Sequence, residues 1–306
     1  MKKILVFILI LSCPSIGIGY AAENNTVIPE VTTNVQSSTV LSKPEQRVQT
    51  TQITREDITN SPVLNLSSLL AQEQSIVRLT NNSGDSSQTA LSIRGFGNNA
   101  AANTLILVDG FPLTNPSILA PNFNSIALSD IERIDIIEGS QGTLWGDQAV
   151  GGVVNIVTRH PEKFLADVNL GVGSFNQYFY SALVGTKFKN GFFFKGFGFS
   201  NRTDNYRQHN RHAEETGFFQ TGWDYARGTL NVSAQSYENT IQLPSGLTQA
   251  QFAADPQQST DLLSHTHYKT VVYQFFNQHA LNAHWLLETR LSNRTINGDG
   301  EINGFF

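Results

Sequence analysis

Cysteine is all but missing from these 306 residues, with Cys13 the only one. It falls inside an N-terminal segment that has the marks of an export signal: basic Lys2 and Lys3, an apolar run from Ile4 to Leu11, and small residues toward Ala21-Ala22. A lipoprotein signal at Ile10-Leu11-Ser12-Cys13 is the competing reading, which the bulky Leu11 fits poorly. With residues 1–22 removed, no thiol remains, which excludes disulfides and cysteine-held metals. Long hydrophobic runs are lacking too. The run in the signal is shorter than the roughly 20 residues a membrane-crossing helix needs, and nothing later reaches that length. Basic charge is scarce: without Lys2 and Lys3 the 20 basic residues become 18 against 25 acidic ones, a net charge of about −7. Such a surface repels nucleic acid. No Ser/His/Asp set or close carboxylate pair stands out, so the sequence gives no support to an enzyme.

Glycine and phenylalanine are plentiful, at 24 and 20 residues. Together with the low charge content they suit a sheet with one face in lipid. Residues 23–46 are polar and lack a sustained apolar period, as a flexible periplasmic leader would. Its one apolar knot is Thr26-Val27-Ile28-Pro29-Glu30-Val31-Thr32. Residues 47–160 read as a compact α/β domain of short elements, and about 115 residues are enough to bury a core. A helix is expected from Pro62, after Ser61, with Val63, Leu66, Leu69 and Leu70 on one face. Strands are expected at Val48–Ile53, Ala90–Arg94, Leu105–Val108, Arg133–Glu138 and Val153–Thr158, with Asp109-Gly110 as a tight turn.

From Ala166 the period becomes two. Val168, Leu170 and Val172 oppose Asp167, Asn169 and Gly171. Leu230, Val232 and Ala234 oppose Asn231, Ser233 and Gln235, while Trp285, Leu287 and Leu291 oppose Glu288, Arg290 and Ser292. Short turns at 189–191, 225–228 and 279–282 alternate with long polar stretches at 201–215 and 239–264. Alternating strands of roughly ten residues with that loop asymmetry mark an antiparallel transmembrane β-barrel. A water-soluble sandwich accounts for any single strand but not for the asymmetry.

Two stretches carry a family resemblance. Leu91-Ser92-Ile93-Arg94-Gly95-Phe96-Gly97 precedes Leu105-Ile106-Leu107-Val108-Asp109-Gly110. Further on, Asp130-Ile131-Glu132-Arg133-Ile134-Asp135-Ile136-Ile137-Glu138-Gly139 precedes Ala149-Val150-Gly151-Gly152-Val153-Val154-Asn155-Ile156. In that order they resemble the plug domain of TonB-dependent outer-membrane receptors, most of all the cobalamin receptors. A phosphate loop is the rival for the glycines, but no Gly-Lys-Ser or Gly-Lys-Thr follows. Gly139, Gly142, Gly146, Gly151 and Gly152 are expected to let the chain turn and lie close to a barrel wall.

The resemblance implies a mainly β protein of the bacterial outer membrane: a small α/β plug followed, over 161–306, by an incomplete barrel of about seven strands. Plugged barrels have about 22 strands, so the C-terminal part of the wall is expected to be missing, as in a fragment or an interrupted gene. The implied function is active uptake of a scarce ligand, a cobalamin or a metal chelate such as an iron siderophore. The implied partners are TonB with its inner-membrane proton-motive complex, and outer-membrane lipid. No cofactor, resident metal, catalysis or nucleic-acid partner is implied. Residues 26–32 sit where the TonB box belongs, although Pro29 would interrupt strand pairing. Ligand contacts carry over to Asn81, Asn82, Ser83, Gly84 and Asp85, and to Thr114, Asn115, Pro116, Ser117 and Ile118, with Asn122 and Phe123 behind. These tips hold no Lys or Arg, which favours a neutral ligand over an anionic catecholate.

The family pairs the plug arginine with a barrel acid and carries a second plug arginine before a Gly-Pro. Here those latter positions are Glu138 and Ser140, so Arg94 is expected to pair with Glu138 inside the plug, with a solvated Glu138 as the alternative. His209, His212, His265 and His267 could bind metal or haem, but are more simply polar loop and lumen residues. A truncated, non-transporting binding protein with a vestigial sheet is the competing function.

Overall fold

The computed structural model describes residues 50–63, 65–79, 89–93, 95, 97–113, 121–282 and 284–303. The signal, the leader with residues 26–32, the two loop tips at 81–85 and 114–118, and Arg94 lie outside them.

The first half is built on a five-stranded sheet. Its strands are β1 (Thr50–Thr54), β4 (Thr104–Val108), β5 (Phe111–Pro112), β6 (Ile131–Glu138) and β7 (Gly152–Thr158), in the order β1-β6-β7-β4-β5. A separate hairpin pairs β2 (Ile76–Leu79) with β3 (Ala90–Ile93). Among the described strands only β4 and β7 pair in parallel. The turn between β4 and β5 has Asp109 at φ 51° and Gly110 at φ 79°. Two central residues with positive φ are what a tight two-residue hairpin demands. One face of the sheet is apolar, with Ile53, Ile106, Ile134, Ile136, Val154 and Ile156 packed into a single core with Phe123. The other face carries Asp135 and Asn155 side by side.

Helices cover the apolar face. Thr54 caps α1 (Arg55–Asn60) in a reciprocal box with Asp57, a Thr-x-x-Asp signal overlooked in the sequence. The expected helix from Pro62 starts later. Asn65, not Ser61, is the cap of α2 (Leu66–Leu70), its side chain accepting the Ser68 amide. An Asx residue directly ahead of the apolar stretch outcompetes a serine four positions upstream. Leu66, Leu69 and Leu70 are buried as the spacing implied. Two further short helices, α3 (Ala100–Asn103) and α4 (Gly142–Trp145), complete this half.

The second half is one antiparallel sheet of seven strands in chain order: β8 (Leu165–Gly173), β9 (Gln177–Lys187), β10 (Phe192–Thr203), β11 (His212–Tyr225), β12 (Gly228–Gln242), β13 (His265–Ala280) and β14 (Leu286–Glu301). Its outer face is apolar and bare. Val168, Leu170 and Val172 are 69%, 77% and 90% exposed, and Tyr180, Phe219, Val232 and Tyr273 also face outward. In water so large an apolar surface would be an aggregation liability; in a bilayer it is the lipid contact. The inner face of β11 and β12 reads Glu214, Thr216, Phe218 and Gln220 against Asn239, Tyr237, Gln235 and Ser233. The long loops are shorter than expected, at 204–211 and 243–264, because the strands run further than the polar sequence implied. The second loop contains a helix, α5 (Gln249–Ala254), capped by Thr248. Among the described residues no helix is long and apolar enough to cross a membrane.

Candidate plug and wall interface

The wall grips the first half through its inner face, and the contacts are mostly polar. Lys195, mid-strand in β10, is 1% exposed and stands out as the one charge in the run Phe192–Phe199. Its Nζ lies 3.0 and 2.9 Å from the two carboxylate oxygens of Asp130, 2.9 Å from Thr158 Oγ1 and 3.2 Å from the Arg159 carbonyl. Thr158 passes the link on, its hydroxyl donating to Asp109 Oδ2 at 2.7 Å while its amide donates to Asp109 Oδ1. Burial pushes the Asp130 carboxyl up to about 6 against the opposing pull of Lys195.

Nearer the long loops the polarity reverses. Glu214 of β11 is 1% exposed, and the Asn124 amide donates to both its oxygens at 3.0 and 2.8 Å. Asn201 donates to the same carboxylate from the neighbouring strand. Other wall side chains take hold of backbone: Gln235 donates to the Ser125 carbonyl at 2.6 Å and Arg294 to the Pro112 carbonyl at 2.5 Å. Apolar contact is local, with Ala127 packed against Leu165, Leu183 and Phe197.

The glycines behave differently from expectation. A Cβ on Gly110 would meet the Arg290 guanidinium of the wall at 2.9 Å. The tight neighbour of Gly152 is instead the Ile137 carbonyl of its own sheet, at 2.6 Å, and Gly142 and Gly146 have nothing within 4 Å. Thus Gly110, rather than Gly142, Gly146 or Gly152, makes a close approach to the wall. Gly95 and Gly139 take positive φ, of 80° and 91°, and Gly151 accepts the Gly139 amide. Glu138 ends β6 opposite Gly152 and is partly exposed; its expected partner Arg94 lies outside the described residues. Asn122 turns its side chain onto the Asn124 amide, and Phe123 is wholly buried.

The two long loops are tied together: the Arg207 guanidinium donates to the carbonyls of Pro244, Ser245 and Gln258, and Gln208 bonds the Gln257 backbone. His209 spends a ring nitrogen on the Ser264 carbonyl. His212 is buried on the inner face, 3.9 Å from Glu214, while His267 bonds Thr240. Among the described residues no three His, Cys, Asp or Glu side chains converge as a metal site would require.

Residues 42–153 match the family model described as TonB-dependent Receptor Plug Domain. Over those residues the chain is similar to the plug of TonB-dependent receptors. The vitamin B12 transporter BtuB of Vibrio cholerae is 33% identical over 123 residues, 40% of this chain and 20% of that protein. The ferric enterobactin receptor PirA of Pseudomonas aeruginosa is 34% identical over 122 residues, 36% of this chain and 16% of that protein. The chain thus spans about a fifth of the length of the curated transporters it matches. The unliganded ferric citrate transporter FecA superposes with a TM-score of 0.72 at 22% identity, covering 85% of this chain and 42% of that one. In receptor terms, the five-stranded half is plug and the seven-stranded sheet is part of the barrel, in the outer membrane. Asp130 and Lys195 were missed in the sequence; a lone lysine in an aromatic strand was the available signal.

Proposed function

We propose that this receptor takes up a scarce, neutral ligand across the outer membrane, with the plug spanning residues 47–160 and the wall 161–306. The ligand class is a cobalamin or a hydroxamate-type iron chelate. It meets the outward plug tips Asn81–Asp85 and Thr114–Ile118, whose lack of cationic side chains disfavours a trianionic complex. TonB engages the leader through residues 26–32 by strand addition and, powered from the inner membrane, draws the plug aside. No bond of the ligand is made or broken.

The observation that carries this reading is how the plug is held: a globular stopper against a lipid-facing wall, attached by side-chain hydrogen bonds and two buried carboxylate contacts, with little apolar seal. Such a joint is specific yet separable, because each bond can be exchanged for one to water. The test is uptake by cells whose own receptors are deleted, carrying the natural gene for this protein, with and without TonB. Radiolabelled cyanocobalamin and a neutral ferric trihydroxamate are supplied, beside a ferric tricatecholate. Accumulation of a neutral compound that vanishes without TonB is expected. Uptake that ignores TonB, or none of the neutral compounds entering, overturns the reading.

A further inference from the structure

Just above the short turns the outward positions of the wall strands carry no Asp, Glu, Lys or Arg, until one level at which charge appears on adjacent strands together. On β11 the outward positions Trp223, Thr221, Phe219 and Gly217 lead up to Glu215. Glu215 stands directly opposite Glu238 of β12. On one side Arg202 of β10 donates to Glu215 at 2.8 Å; on the other Lys269 of β13 lies 3.5 Å from Glu238, with His267 at 3.9 Å. Across four neighbouring strands the signs read plus, minus, minus, plus, and all four side chains are about half exposed. Asp299 of β14, opposite His267, lies one level nearer the long loops. Like charges directly opposed on neighbouring strands are destabilising. Charge on the lipid face is costly at mid-membrane and nearly free at its edge, so this row marks the edge of the hydrocarbon, where headgroups lie.

We propose that this row is a docking site for lipid headgroups that carry both a phosphate and a primary ammonium group. The order of the charges sets the chemistry. A guanidinium and an ammonium each have more N–H groups than one carboxylate oxygen uses, so Arg202 and Lys269, at the two ends, have donors to give to phosphate oxygens. Between them, a primary ammonium donates to Glu215 and Glu238 and relieves their mutual repulsion. A headgroup with net negative charge meets that carboxylate pair and is repelled. A quaternary ammonium has no N–H to offer the carboxylates. Phosphoethanolamine has both required groups. The site rests on the lipid-facing wall alone and does not depend on the uptake reading.

The experiment uses the full chain in detergent micelles doped with dioleoyl phosphatidylethanolamine, phosphatidylcholine or phosphatidylglycerol, with retained lipid counted by native mass spectrometry. Phosphatidylethanolamine is expected to be held about fivefold more tightly than the other two, the worth of one exposed ion pair. Glu215→Gln/Glu238→Gln removes that preference and, by leaving Arg202 and Lys269 uncompensated, turns it toward phosphatidylglycerol. Arg202→Gln/Lys269→Gln weakens retention of all three lipids, since each has a phosphate. Glu238→Gln alone lowers the preference about twofold and keeps the test alive if a double variant does not fold. Equal retention of the three lipids, a preference of the native chain for phosphatidylglycerol, or a phosphatidylethanolamine preference that the glutamate variants leave unchanged overturns the proposal.

Discussion

Replacing Lys195 by Met strikes the joint between plug and wall at its most buried point. In the native protein Lys195 and Asp130 are 1% and 5% exposed and paired at 2.9 Å. Removing the cation strands a carboxyl whose burial already outweighs the attraction of its partner. Breaking a buried pair from one side costs about 3–5 kcal/mol, whereas replacing both partners by apolar residues of similar size is about neutral or stabilising. Plug seating, followed by urea titration with Trp145 fluorescence, should therefore weaken by about 3–5 kcal/mol in Lys195→Met. It should recover in the double variant Lys195→Met/Asp130→Leu. Between the two residues the cycle should show a coupling of more than about 1 kcal/mol. A single variant that unseats at the native urea concentration, or a double variant whose loss is the sum of the singles, would refute the argument that the pair, not packing around it, holds the joint.

Four further outcomes follow from the same geometry. Because the Asp130 carboxyl is raised from 3.8 to about 6, the folded protein binds the extra proton between those values. Its contribution to stability is thus fully present below about pH 4 and falls by about 3 kcal/mol as pH rises to about 6. Asp130→Asn should flatten that slope in pH-dependent urea melts; an unchanged slope would assign it to other groups. Asp261, half-buried in the second long loop, is held at about 2 by the Ser264 hydroxyl and the Ser264 and Leu263 amides. This stabilisation is present above about pH 4 and lost as pH falls through about 2, so the hydrogen-exchange protection of Leu263 and Ser264, relative to the unstructured amide at the same pH, should fall at low pH and, at neutral pH, in Asp261→Ala. Gly110→Ala combines a positive φ with a collision against Arg290 and should cost about 1–2 kcal/mol of plug stability, read by thermal melting. Val232→Arg, on the bare outer face, should cost about 2–4 kcal/mol of wall stability in lipid, and nothing if that face is solvated.

The strands of the wall were legible because lipid on one side and polar side chains on the other impose a period of two, visible at Val168, Leu170 and Val172. The plug strands were legible for another reason: β4 and β7 are largely buried and read as aliphatic runs, broken in β7 only by Asn155. Hidden elements were those set by single polar atoms. Asn65 capping α2 and the Thr54–Asp57 box that starts α1 depend on one hydrogen bond each, and the apolar pattern around them fits more than one start. The plug joint was the least legible feature. Lys195 is out of place in its strand, but nothing in sequence says that its partner lies 65 residues earlier.

That difficulty has a structural cause. Of the bonds between wall and plug, several end on plug backbone: Gln235 on the Ser125 carbonyl, Arg294 on Pro112, Lys195 on Arg159, and Thr216 on Asn124 at 3.4 Å. A carbonyl accepts whatever its side chain is, so the wall can hold the plug through residues that no plug motif records. The plug can then drift in sequence at these positions while the joint persists, provided the loops keep their shape. Under the proposed uptake function, such a joint would open without the plug losing its core. The apolar cluster around Phe123, Ile134 and Val154 faces away from the wall side chains that grip those carbonyls, so separation exposes polar atoms that water can satisfy and leaves the folded centre of the plug intact.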